Sequence, residues 1–355
     1  MRILIVNPYG IGDVLFSLPL LYTLRQAFSN GFISFLCNRR THELVSLWSF
    51  LDHTDVFEKD EFRTAWRRSK KEGIRHLRQV IGSIREKRFD LVIDLSLNWQ
   101  VGLCARLAGI TTRVGFDYRG RGRFLTHRLR ITGFHDKPVY EYYLDLLSFL
   151  NLAKPHAVQT DFQLPAPYLE QADLYLQQQG IRQGTRCIGI VPGGGVSWGP
   201  NAVFKQWPPD FFARTADELA RRHQAGIILF GDAREADLCR RIEQRMETKP
   251  LVVAPAPSLP LLGGLLHRCE LVVGNDSGPM HMAVCLGTKT VTIFGPVDGS
   301  VYGPMSLKPT HRLAAKALAC RPCYQHFRFP PCPWNNACLR ELAPEEILAA
   351  AETIM

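Results

Sequence analysis

A chain of 355 residues with 46% hydrophobic and 21% charged residues has the length of two α/β domains and the composition of an ordinary globular fold. No apolar run approaches the roughly 20 residues that a membrane-spanning helix needs, and the four apolar residues before Asn7 are too few for a secretory signal core, so a cytoplasmic protein is expected. The formal net charge of +10 asks for an anionic partner, and Lys and Arg crowd residues 63–130, which assigns the basic face to the N-terminal half.

In chain order, short β-rich runs alternate with helical patterns. "RILIVN" is followed by a helix over 13–28, in which Val14, Leu18 and Leu21 recur at helical spacing and Asp13 reads as an N-cap. "FISFLCN" precedes a helix near 42–50, and "DLVIDLS" precedes another. This is the pattern of βαβ units on a parallel sheet. A proline-containing connection and a polar helix over 161–183 read as a linker, separating an N-terminal domain (1–160) from a C-terminal one (184–340), with a last amphipathic helix over 341–355. The second series runs "CIGIVPGGG", "AGIILFGD", "PLVVAPA", "ELVVGND" and "TVTIFGP", each followed or separated by a helical segment. Two Rossmann-like halves make a central cleft the expected site.

Three stretches of the second half can carry chemistry. In "GNDSGPMH" a buried strand ends in Asn275-Asp276, and Ser277-Gly278-Pro279 opens a helix whose first N–H groups attract an anion; a capped, tight βα turn is the bland alternative. In "PGGGVSWGPNAVFKQWP" the glycines around Gly194 let backbone approach a ligand, Ser197 offers a hydroxyl, and Lys205 offers a point charge. In "FGDAREAD" Glu235 sits where the acidic residue of dinucleotide folds meets a ribose, or is simply a solvated first turn. Neither a Walker A pattern nor G-x-G-x-x-G is present, which argues against kinase-like transfer and nicotinamide binding. No D-x-D occurs either, so a bound diphosphate must rely on Lys205 and helix N-termini instead of a clamped divalent cation.

Taken together, Gly12-Asp13-Val14 with Leu18-Pro19, "RVGF" from Arg113, "PGGG" with "KQWP", Asp276-Ser277-Gly278-Pro279-Met280-His281, and "FGPVD…YGP" resemble glycosyltransferase family 9, the bacterial ADP-heptose:lipopolysaccharide heptosyltransferases, and most of all their heptosyltransferase II branch. The resemblance runs over nearly the whole chain. It implies a GT-B architecture, an α/β fold of two Rossmann-like domains whose parallel sheets face a central cleft, with acceptor on the first domain and nucleotide sugar on the second. It implies inverting transfer with no cofactor and no essential metal. Asp13 would be the general base, Lys205 a donor-phosphate ligand, Glu235 the ribose contact, and Asp276 with Ser277-Gly278 the donor-sugar and phosphate site, with His281 orienting the loop. On the acceptor side the resemblance points to Gly12, Arg113 and the arginines of "RGRGR", Arg119, Arg121 and Arg123, which suit an anionic inner-core glycan. The implied partners are ADP-heptose and a lipid-linked acceptor at the inner membrane face, where the basic N-domain surface would assist docking. Asn7 and Pro8-Tyr9-Gly10 depart from the pattern, so the acceptor is the least determined part. A family 9 transferase using another nucleotide sugar or a protein acceptor is the nearest alternative.

Cys320, Cys323, Cys332 and Cys338 form C-x2-C-x8-C-x5-C, a spacing that can hold structural zinc or iron and staple a proline-rich loop; packed free thiols or a disulfide are the alternatives. A four-cysteine site in a basic chain also suits nucleic-acid binding, but most of the charge lies about two hundred residues upstream, so no nucleic-acid partner is expected. A nucleotide-sugar epimerase of the same fold would have no use for a base at Asp13.

Overall fold

A computed structural model describes the chain except residues 59–63, 65–66 and 305–307, and except the side chains of Val196 and Ser197. The chain divides into two compact units, residues 1–134 with 139–159, and residues 135–138 with 160–355. Each is built on one six-stranded sheet in which every strand pair is parallel. Both are α/β layers of the GT-B type.

In the first unit β1 (Arg2–Val6), β2 (Phe32–Cys37), β3 (His53–Val56), β4 (Leu91–Asp94), β5 (Thr112–Tyr118) and β6 (His127–Ile131) lie in the order β3-β2-β1-β4-β5-β6. In the second, β7 (Cys187–Val191), β8 (Gly226–Phe230), β9 (Leu251–Val253), β10 (Leu271–Asn275), β11 (Lys289–Ile293) and β12 (His311–Ala314) lie in the order β12-β11-β10-β7-β8-β9. Counted within its own unit, the second order is the same as the first. The order in which the chain adds strands reverses between β1 and β4 and between β7 and β10, and ligands of such sheets bind beyond the carboxyl ends of the strands at that point. Strands β1, β4, β7 and β10 are buried nearly end to end, as covered central strands must be.

The first helix differs from expectation. It is two helices, Ile11–Leu15 and Leu18–Ala27, broken at Phe16-Ser17. Pro19 has no N–H to give the Leu15 carbonyl, so a continuous helix would leave that acceptor empty, whereas Pro19 fits the first turn of a new helix. The short edge strands β3 and β6, "HTDV" and "HRLRI", carry few apolar residues because they are covered on fewer sides. In the second unit the connecting helix Ala166–Gln178 packs on the helix Leu259–Arg268, and Gly264 allows it, since a Cβ there would lie 2.6 Å from the Tyr168 carbonyl. The last helix, Pro344–Glu352, packs on Pro209–His223 and puts Ile347, Leu348 and Ala351 into the same core as Trp207, Phe212 and Leu339. Among the described residues no helix is long and apolar enough to cross a membrane.

Candidate active site

At the carboxyl ends of β7 and β10 the second unit gathers the residues singled out in its half of the sequence. Asn275, fully buried, closes β10 and ties three segments: its Oδ1 accepts from Trp207 N at 3.1 Å and its Nδ2 donates to Pro192 O at 2.7 Å. One side chain thus fixes the strand end, the start of the glycine loop and the stretch that carries Lys205. Asp276 follows, 4% exposed, with its Oδ2 2.6 Å from Lys205 Nζ and its Oδ1 3.2 Å from His281 Nε2. Burial alone would raise the Asp276 carboxyl; the charge of Lys205 and the hydrogen bond and charge of His281 overcome it and hold the group down at about 2. Lys205 Nζ also lies 4.5 Å from the centre of the Trp198 ring, so the buried ammonium has an aromatic face on one side and a carboxylate on another.

Ser277 caps the helix Gly278–Cys285, yet its hydroxyl makes no capping bond. Its Oγ is buried and has no hydrogen-bond partner among the described residues. An orphaned hydroxyl at a helix N-terminus, next to a buried ammonium, is the arrangement that an anionic oxygen completes.

The glycine loop approaches from β7. A Cβ on Gly193 would fall 2.0 Å from Glu235 Oε1, and one on Gly194 would fall 2.1 Å from the Ala202 carbonyl, so neither position has room for a side chain. The Glu235 carboxylate accepts N–H bonds from Asp232, Gly194 and Gly195; burial and then the Asp232 charge nevertheless raise its pKa. Glu235 is therefore the floor of the glycine loop. The Ser197 side chain lies outside the described residues.

In the first unit Asp13 stands at the third position of the helix Ile11–Leu15, where its Oδ2 accepts from Gly10 N at 3.2 Å, and half-buried Gly12 passes on its carbonyl to Phe16 N. The loop before it is pinned from several sides. Asn7 Nδ2 donates to the Asp13 carbonyl at 2.9 Å, Asn38 Nδ2 donates to the Pro8 and Tyr9 carbonyls at 3.1 and 2.5 Å, and the Tyr9 hydroxyl donates to Ser96 O. Ser96 in turn donates N–H and O–H to Asp94 Oδ1 at 2.8 and 2.5 Å. Burial pushes the Asp94 carboxyl up to about 7 despite those two bonds. Fully buried Tyr143 has its phenol raised well above the usual range, by burial first and then by the Asp13 charge. Asn7 Oδ1 is buried without a partner among the described residues.

The arginines of this unit divide into two kinds. Arg113 gives its guanidinium to the carbonyls of Phe124, Ile110 and Thr111, bracing the turn between β5 and β6. Arg119 and Arg121 lie over the Tyr118 ring, at 5.0 and 5.5 Å, and Arg123 lies over Trp99 at 4.5 Å. All three are exposed and make no ion pair with a described residue. A guanidinium resting on a ring keeps its N–H edge for an anion.

The family model for glycosyltransferase family 9 (heptosyltransferase) matches residues 77–328. The chain belongs to glycosyltransferase family 9. It is therefore a glycosyl-transferring enzyme. Among curated proteins it is 25% identical, over all of this chain and 98% of the relative, to a lipooligosaccharide heptosyltransferase 2 of Campylobacter jejuni, and 26% identical, over 87% of this chain and 86% of the relative, to the lipopolysaccharide heptosyltransferase 2 of Escherichia coli K12. Its fold is that of a family 9 glycosyl transferase from Veillonella parvula, with a TM-score of 0.82 at 22% identity over 99% and 96% of the two chains. The E. coli ADP-heptose heptosyltransferase II gives a TM-score of 0.79 at 22% identity over 100% and 98%.

For the cysteine cluster of this family 9 enzyme the structure gives no support to a metal site: among the described residues no three His, Cys, Asp or Glu side chains are grouped to hold an ion. All four thiols are free and within electrostatic reach of one another, and three of them are committed locally. Cys323 Sγ donates to the Cys320 carbonyl, Cys332 Sγ accepts from Asn336 N, and Cys338 is folded into the hydrophobic core with Leu339 and Leu342. This stretch is held to the second unit by hydrogen bonds from Cys323 N and Tyr324 N to the Pro296 carbonyl and from Arg321 to Gly295 O, and by aromatic contacts. Tyr324 and Phe329 pack on Trp198, and Phe329 stacks on Phe204.

Sequence reasoning missed Asn275, Trp198 and the Asp94–Ser96 pair. Asn275 stands next to Asp276 in "GND", and a buried amide at the end of a central strand is the one signal that could have found it.

Proposed function

We propose that this enzyme moves heptose from ADP-L-glycero-D-manno-heptose to an anionic, lipid-linked inner-core lipopolysaccharide acceptor, with inversion at the anomeric carbon. The observation that carries the donor side is the Lys205–Asp276–His281 cluster with the orphaned Ser277 hydroxyl. A diphosphate fits there because Lys205, Ser277 Oγ and the N–H groups of the Gly278–Cys285 helix offer cationic charge and donors for the oxygens of the leaving group. The glycine loop lets backbone lie against the nucleotide, and Glu235 is assigned to the ribose. Asp276 is assigned to the heptose hydroxyls once a phosphate competes for Lys205. The reaction in this reading draws its cationic charge from Lys205 and uses no metal.

Asp13 is assigned as general base. It takes the proton of the acceptor hydroxyl as that oxygen attacks the anomeric carbon from the side opposite the diphosphate; the new C–O bond forms as the bond to the phosphate oxygen breaks and ADP leaves. The Gly10 N–H on Oδ2 fixes the carboxylate for that purpose. Arg119, Arg121 and Arg123, laid on aromatic rings, are assigned to acidic groups of the acceptor, with Gly12 clearing space; Arg113 positions their loop. We place the enzyme in the cytoplasm, peripheral to the inner membrane, in keeping with ten free thiols and a lipid-linked acceptor.

The test is ADP release with a panel of nucleotide sugars and a purified heptose-acceptor core, with Asp13→Ala as control. Release confined to the heptose donor and lost in the variant is the expected result. Release that persists undiminished in Asp13→Ala, or that requires a different nucleotide, overturns the corresponding assignment.

A further inference from the structure

The charge that the sequence concentrates in the first half is not spread evenly over its surface. The helix Lys70–Glu86 buries Gly73 and Ile84, and turns Val80 and Ile81 onto the core of Leu4, Val92 and Ala105. Lys71, Ile74, Arg75, Arg78 and Arg85 are spaced i, i+3, i+4, i+7 and i+14, so they form one strip along the solvent side. All are exposed, and Ile74, the apolar member, is 42% exposed. Lys71, Arg75 and Arg78 make no ion pair with a described residue. At the far end the Arg85 guanidinium donates to the Leu107 carbonyl at 2.6 Å, which brings a second exposed apolar side chain, Leu107 at 45%, alongside the strip.

We infer that this strip docks the enzyme on an anionic lipid bilayer, with Lys71, Arg75 and Arg78 on the headgroups and Ile74 and Leu107 entering the headgroup layer. The inference rests on the reading that the acceptor is lipid-linked. Unpaired cations in a line on a helix are worth most against a surface of fixed negative charge, where each basic residue multiplies partition about fivefold. Duplex nucleic acid meets the same charges, but it leaves two exposed apolar side chains against phosphate, and the strip has no aromatic residue on which a base could stack. A lipid surface accepts both kinds of side chain.

The experiment is co-sedimentation of the intact protein with vesicles of phosphatidylglycerol and phosphatidylethanolamine, and with phosphatidylcholine vesicles, at low and high salt. Wild type is expected to bind only the anionic vesicles, and salt should weaken that binding. Lys71→Glu/Arg75→Glu/Arg78→Glu should bind at least tenfold more weakly, and the milder Lys71→Gln/Arg75→Gln/Arg78→Gln should fall between. The glutamine variant guards against a folding defect, with circular dichroism as the check. Ile74→Ser should remove the part of the binding that survives salt. Equal vesicle binding by wild type and the reversed variant overturns the proposal, as does duplex DNA displacing the vesicles at equal phosphate concentration. Transfer to a delipidated acceptor core should be unchanged in every variant. Wild type that transfers to the delipidated core but does not bind the anionic vesicles refutes docking alone; absence of transfer in wild type refutes the enzymatic reading instead.

Discussion

Individual carboxyl groups of this chain are set to different pH ranges, and each makes a measurable difference. Asp13→Asn keeps the bond from Gly10 N but removes the base, so kcat should fall about 10²–10⁴-fold with ADP affinity within twofold of wild type, as read by steady-state kinetics and calorimetric titration. Asp94 titrates at about 7 in the folded protein against 3.8 when unperturbed, so the folded state holds the proton more tightly. A folded-state pKa raised in an acid costs stability as pH climbs: the cost is absent below about 4, grows through the interval, and is complete above about 7. Asp94→Asn, which keeps an acceptor for Ser96, should flatten that decline and raise the melting temperature at pH 8. Asp276 has the opposite sign, because its pKa is depressed to about 2; its contribution is present above about 4 and is lost as pH falls toward 2. Lys205 and Asp276, which the structure brings together, were legible in the sequence because each sits in a run of glycine, proline and helix-start residues. Asp94 was not: in "DLVIDLS" it looks like the polar end of a strand, and only the burial of that strand end gives it a perturbed proton.

The short elements around the proposed donor site are constrained by contact at the backbone. Gly193→Ala places a methyl group on the Glu235 carboxylate, so the loop or Glu235 must move. ADP affinity should drop at least tenfold while the protein still folds, which titration and a thermal melt would separate. The Lys205–Asp276 pair joins the Val196–Lys205 segment to the end of β10, and both side chains are about 5% exposed. Lys205→Ala leaves a buried carboxylate without its cation, and should cost about 3–5 kcal/mol in urea unfolding; Lys205→Ala/Asp276→Asn should recover much of it. Strand-and-helix alternation was readable from apolar period alone. The split of the first helix was not, because apolar spacing continues across it, and the edge strands β3 and β6 were not, because half-covered strands carry too few apolar residues to register.

At the scale of the whole chain, one strand order occurs twice, and in each unit the candidate chemistry lies where the strand order reverses. That recurrence has no counterpart in the sequence, where the two halves show no repeat: topology is set by burial pattern and connection handedness, which many sequences satisfy. The proposed division of labour between the units predicts that donor and acceptor defects separate. Arg119→Ala/Arg121→Ala/Arg123→Ala should raise the acceptor KM at least tenfold and leave ADP titrations unchanged, because those arginines belong to the first unit and the Lys205 cluster to the second. The same triple variant should lessen the salt dependence of acceptor KM, which a series from low to physiological ionic strength would read.

The ion pair between Lys205 and Asp276 also has a consequence for inhibitor chemistry. A compound that offers only a phosphate or carboxylate to Lys205 strips the counter-ion from Asp276, leaves that carboxylate buried, and forfeits most of what the new contact supplies. A zwitterionic scaffold, anionic toward Lys205 and carrying an ammonium or paired hydroxyls toward Asp276, replaces both halves of the pair at once. Such scaffolds should outrank purely anionic nucleotide mimics of equal size, and the preference should vanish in Asp276→Asn.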